Sequence, residues 1–140
     1  MDPVQWVVAR RDCSPNAMFE KLRLEVEEDV KIRNGLRPKE CHYGFRFATS
    51  GSSFSAIREG NKLGKSIAFH LNDSVIAVKD DKGQTLFTAT LTLDDEGKCK
   101  FKIGKDERES WQVRKRALEE LFFLFPEVPD FFAQYGGAQS

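Results

Sequence analysis

Ser66-Ile67-Ala68-Phe69-His70-Leu71-Asn72-Asp73-Ser74-Val75-Ile76-Ala77-Val78-Lys79 decides the fold. Ile67, Phe69 and Leu71 alternate with Ala68 and His70, and the alternation resumes at Ile76 and Val78. A period of two places successive side chains on opposite sides of a strand, so both halves read as half-buried β-segments. Between them Asn72-Asp73 is read as a two-residue hairpin turn, because both residues tolerate positive φ. That turn pairs Leu71 with Ser74, Phe69 with Ile76 and Ile67 with Val78.

Downstream, the loop Asp81-Lys82-Gly83-Gln84 sets Val78 opposite Phe87 and Ile76 opposite Ala89. A turn around Asp94-Asp95-Glu96-Gly97, with Gly97 in a bulge position, sets Leu91 opposite Phe101 and Ala89 opposite Ile103. All three turns gather apolar residues on one side, which a one-residue slip would undo. Upstream, Tyr43, Phe45 and Phe47 alternate as one more strand, and the Gly/Ser-rich stretch from Thr49 to about Gly64 reads as a loop anchored by Phe54 and Ile57.

Helices flank this meander. Ser14-Pro15 is a start signal, since a Ser side chain accepts from the first free N–H groups and Pro at the first position gives none up. Met18, Phe19, Leu22, Val26 and Val30 follow at helical spacing and leave Leu24 off the stripe. Asn34-Gly35 is expected to end the helix in a left-handed cap, with Leu36 folding back on the last turn and Pro38 barring continuation. Asp106 with Glu109 resembles a capping box opening a second helix, which carries Trp111, Val113, Ala117, Leu118, Leu121, Phe122, Leu124 and Phe125 until Pro126. Residues 4–10 read as a short strand or extended arm, and residues 136–140 as a disordered tail.

The expected architecture is α+β in two layers: an N-terminal helix, an antiparallel meander of about five strands and a C-terminal helix, with both helices on one face of the sheet. At 140 residues and with 12 Phe, the chain suits one domain, 1–140, with a single core. No apolar run approaches the roughly 18–20 residues of a bilayer span, and the first residues lack a signal-peptide pattern. Cys13, Cys41 and Cys99 are odd in number, widely spaced and without a Cys-x-x-Cys pair, so they are read as unpaired thiols in a cytoplasmic protein that holds no metal.

Charge is balanced, 22 basic against 22 acidic residues, which removes any chain-wide argument for nucleic acid or membrane. Its distribution is uneven. In the expected register the open face of the sheet carries His42, Arg46, Ser66, Ala68, His70, Val75, Ala77, Lys79, Leu86, Thr88, Thr90, Thr92, Lys98, Lys100 and Lys102, with no Asp or Glu among them. Lys98, Lys100 and Lys102 beside Thr88, Thr90 and Thr92, with Arg46 and Lys65, form a candidate surface for a polyanion, most simply nucleic acid: the cations neutralise phosphate and the hydroxyls donate to it. Lys65 belongs to a basic loop that also holds Arg58 and Lys62.

Two other readings accompany it. Edge strands carry Lys merely to block pairing, and Thr is a good strand residue, so the face is also consistent with plain solvation. Val75 and Ala77, with Phe123, Phe131 and Phe132, point instead to a protein-interaction or homodimerisation surface. Phe123 leaves the apolar stripe of its helix and is expected to pack under the Phe131/Phe132 segment.

No catalytic set assembles and no cofactor is called for. Gly60-Asn61-Lys62-Leu63-Gly64-Lys65-Ser66 has three residues between its glycines where a phosphate loop needs four, and it runs into a strand rather than a helix. Cys41 and His42, adjacent on a strand, point to opposite faces and cannot act as a nucleophile–base pair. The sequence therefore reads as a binding module rather than an enzyme.

Overall fold

A computed structural model describes residues 5–38, 43–60 and 65–123. Helices α1 (Trp6–Asp12) and α2 (Pro15–Gly35) precede strands β1 (Gly44–Ser50), β2 (Ser53–Glu59), β3 (Lys65–Asn72), β4 (Val75–Asp80), β5 (Thr85–Leu93), β6 (Cys99–Ile103) and β7 (Asp106–Arg108), and α3 (Ser110–Phe123) follows. The strands form one antiparallel meander in chain order, seven where about five were expected. Helices α2 and α3 cover one face, as the apolar periodicity requires. Phe19, Leu22, Val26 and Val30 of α2 and Val113, Ala117, Leu118, Leu121 and Phe122 of α3 are buried against Phe45, Phe54, Phe69, Val78, Phe87 and Phe101 of the sheet.

The extra strands lie where other readings had been natural. Phe54, Ala56 and Arg58 alternate inward on β2, inside the stretch expected to be a loop. Arg58 hides the pattern because a guanidinium looks out of place in a core. It is only 2% exposed, and its Nη1 donates to the Leu121 carbonyl in the last turn of α3 at 3.3 Å. β7 occupies the residues expected to start the last helix. The helix begins at Ser110 instead, where the Gln112 side chain accepts from the Glu109 N–H at 2.8 Å, half of a capping box one turn later than expected.

The β3–β4 turn falls at Asp73-Ser74, with Asp73 at φ 59°, so Phe69 faces Val78 and Leu71 faces Ile76. The register differs by two residues from the expected one, which leaves every side chain on its expected face. The next two registers agree with expectation: Val78 faces Phe87, Ile76 faces Ala89 and Leu91 faces Phe101. Gly97 adopts φ 82° in the β5–β6 turn.

Three further expectations are corrected. Residues 6–12 are helical, with the Gln5 side chain accepting from the Val7 N–H, and this α1 buries none of its own residues. α2 runs through Gly35 and is capped at Leu36 with φ −94°, so no left-handed residue ends it, and Leu36 is exposed rather than folded back. Cys13 and Cys99 are joined in a disulfide that ties the α1–α2 junction to β6, so neither is a free thiol. Ser14 caps α2 as expected, accepting from the Ala17 N–H at 3.2 Å. Cys41, His42, Lys62, the segment from Leu124 through Phe131 and Phe132, and residues 136–140 lie outside the described residues. No described helix is long and apolar enough to cross a membrane.

Candidate functional site: the open sheet face

The face turned away from the helices is assembled by strand alternation alone. Cross-strand pairs set Arg46 beside Ile57, Ser55 beside Ala68, Ile57 beside Ser66, His70 between Ser53 and Ala77, and Ala77 beside Thr88. Thr90 faces Lys102 and Thr92 faces Lys100, so the expected threonine and lysine rows are adjacent. Val75 and Ala77 sit on the central strand of the seven, and Leu86 is exposed on the next.

Two expected members stand apart. Arg46 is on β1, five strand spacings from β6, or about 24 Å at the usual spacing. Lys65 shares its side of β3 with Ile67 and Phe69, so it faces the helix layer. It lines a cavity of about 370 Å³ beside α3 with Arg58, Asp80, Lys82, Arg116 and Glu120. The charges there are of both signs, and two of them have partners: Arg116 lies over the Phe87 ring at 4.9 Å, and the Asp80 carboxylate accepts from the Lys82 and Gln84 N–H groups of its own turn.

The face is not free of carboxylates, because β2 and β7 add Glu59 and Glu107. Glu59 accepts from Arg46 Nε at 2.7 Å, and Glu107 stands opposite Lys102. Lys100 Nζ lies 3.7 Å from Asp94 and 3.8 Å from Glu109, and Lys98 lies 3.9 Å from Glu96. Asp94 is held below the usual carboxylate range mainly by the Lys98 N–H, with the Glu96 N–H and the Lys100 and Lys98 charges adding to it. Each cation at the two margins of the sheet therefore has an acid beside it. Exposed ion pairs are individually weak, but they cancel the field a polyanion would follow.

What remains between the margins holds no carboxylate and is mostly small. Ser53, Ser55 and Ile57 of β2, Ser66, Ala68 and His70 of β3, Val75 and Ala77 of β4 and Thr88 of β5 surround one charge, Lys79. The β2 contribution is hidden in the sequence by the same Arg58 that hides the strand; Ile57, expected to anchor the loop, lies on a strand and faces outward.

A second exposed apolar region lies on the helix layer. Ile32, Leu36, Trp111, Leu118 and Phe123 line a groove of about 340 Å³ between α2 and α3. The Arg33 guanidinium sits over the Phe123 ring at 4.9 Å and over Phe45 at the same distance, and its Nε donates to the Phe122 carbonyl at 2.8 Å. Trp111, expected in the helix stripe, is half exposed here. Searches of family models, curated proteins and solved structures find no match to this chain.

Proposed function

We propose that this domain is a non-catalytic binding module that packs the centre of its open sheet face against a partner protein. The observation that carries the reading is the carboxylate-free, mostly small-residue centre from β2 to β5 around Lys79. Small side chains let a second layer approach closely, and the partner surface that fits is flat, aliphatic and small-residue, with a carboxylate opposite Lys79. The four strands β2 to β5, about 4.8 Å apart and each with about six residues rising about 3.3 Å, give a central patch of about 400 Å², half of the roughly 800 Å² that one partner contributes to a standard interface, so the margins form the rim of the contact.

The polyanion reading is kept as the second one, because the Thr90–Lys102 and Thr92–Lys100 adjacency favours it. Cysteine usage does not support a cytoplasmic location, since a bond such as Cys13–Cys99 persists in oxidising compartments and is rare in the cytosol.

The test is a photoreactive amino acid at position 77, identification of the cross-linked protein by mass spectrometry, and reconstitution with that protein purified. Binding is expected to weaken at least about tenfold in Ala68→Arg and in Lys79→Glu, and to change by less than about tenfold between 50 and 200 mM salt. Retention of the reconstituted complex in both variants overturns the reading. Binding of single-stranded DNA that collapses by orders of magnitude over the same salt range favours the second one.

A further inference from the structure

The two edges of the sheet are finished differently. β7 is three residues long, all of them charged, and leads directly into α3. Short, charged edges resist pairing with another chain. β1 is seven residues long and reads Gly44-Phe45-Arg46-Phe47-Ala48-Thr49-Ser50, without proline or lysine. Its ladder to β2 is continuous over all seven pairs, so no bulge twists the edge away.

Which backbone groups face outward follows from one side chain. The Phe45 N–H donates to Asn34 Oδ1 at 2.9 Å, and Asn34 Nδ2 donates to the Phe45 carbonyl at 2.8 Å. Phe45 thus turns both groups away from β2, and antiparallel alternation turns those of Phe47 and Thr49 the same way. The β1–β2 hairpin agrees: Ser50 and Ser53 close a two-residue turn, so the even-numbered residues carry the ladder. Among the described residues, no hydrogen bond reaches the outward N–H and C=O groups of Phe47 and Thr49.

We propose that β1 pairs antiparallel with β1 of a second copy of this chain, about a two-fold axis at Ala48. Asn34 selects the register. Because it occupies the edge at Phe45, the free groups are those of Phe47 and Thr49, and the pairing that uses them sets Phe47 opposite Thr49 of the second copy, twice. Each such pair exchanges two backbone hydrogen bonds, four in all. Ala48 then meets Ala48, a small pair at the axis, and Arg46 meets Ser50, so no like charges are opposed. The position opposite Phe45 falls on Gly51, where the hairpin already turns away at φ 59° and leaves room for Asn34. The contact is isologous and closed, and it joins the two open faces into one sheet of fourteen strands. It does not depend on what the open face binds.

Sedimentation equilibrium of the full chain up to about 1 mM tests the pairing. Thr49→Pro removes an outward donor and leaves the β1–β2 ladder intact, because Ala48 and Ser50 carry that ladder. With two hydrogen bonds lost per dimer, self-association is expected to weaken about 30-fold, with an unchanged circular dichroism spectrum. Ala48→Lys and Ala48→Glu are each expected to be monomeric, and their equimolar mixture to dimerise. A wild-type chain that stays monomeric at about 1 mM overturns the proposal, as does a dimer that survives Thr49→Pro. A mixture that fails to dimerise overturns the Ala48 axis.

Discussion

One sheet presents two faces that use side-chain volume in opposite ways. On the covered face Phe54 stacks on Phe69 with centroids 4.8 Å apart, and Phe19 of α2 reaches Phe54 at 4.9 Å. On the open face of the same two strands stand Ser55 and Ala68, with Ala77 beside them on β4. Large rings fill the roughly 10 Å between layers and remove apolar area from water. Small residues do neither for the isolated chain. The covered face therefore carries the stability, and the open face keeps the flatness that a second layer needs.

Truncation of the covered face is the strongest way to sharpen this contrast. Phe69→Ala is expected to cost about 3–5 kcal/mol in urea denaturation, through lost transfer energy and a residual cavity. A loss below about 1 kcal/mol would mean that the rings are not the main support. Next comes the disulfide, which closes a chain separation of 86 residues: Cys13→Ser is expected to lower stability by about 2–4 kcal/mol, and a reducing agent to do the same to the wild type.

A smaller effect is expected where the two covering helices are tied together. Arg114 Nη1 lies 2.7 Å from both Asp29 carboxylate oxygens, and its Nε donates to Ser110 Oγ, whose hydroxyl in turn donates to Glu25. Arg114→Ala should cost about 1 kcal/mol, with a double-mutant cycle against Asp29→Ala returning most of it as coupling. On the open face, Ala77→Arg should change stability by no more than about 0.5 kcal/mol while abolishing partner binding. A large loss of stability there would erase the contrast between the faces.

The smallest expected effect is acid loosening of the β5–β6 turn. Asp94 has a depressed pKa in the fold, so its contribution is fully present above the unfolded carboxylate value of about 3.9 and is lost as pH falls through the folded one. Asp94→Asn should flatten that part of the stability–pH curve.

Much of this was readable from single residues. Ser14-Pro15 announced α2, and the stripe Phe19, Leu22, Val26, Val30 named its buried side. The hairpin turn was placed one residue early, yet the faces came out correctly, because moving a turn by one residue shifts the pairing by two. The misses have physical reasons. β2 was obscured because Arg58 belongs to the core only when the end of α3 supplies a carbonyl for it. α1 has no apolar stripe to read, since none of its residues is buried. The face expected to lack acids carries Glu59 and Glu107 because β2 and β7 extend the meander at residues whose periodicity reads as loop and helix start, and these acids offset the cations of both margins.

Local periodicity and turn chemistry by themselves determined the α+β class, the helix side of the sheet and the adjacency of the threonine and lysine rows, because those depend on neighbours a few residues apart. Tertiary structure alone decided the Cys13–Cys99 bond, the burial of Arg58 and the Asn34 hold on the β1 edge. Each of these joins groups whose separation in space bears no fixed relation to their separation along the chain.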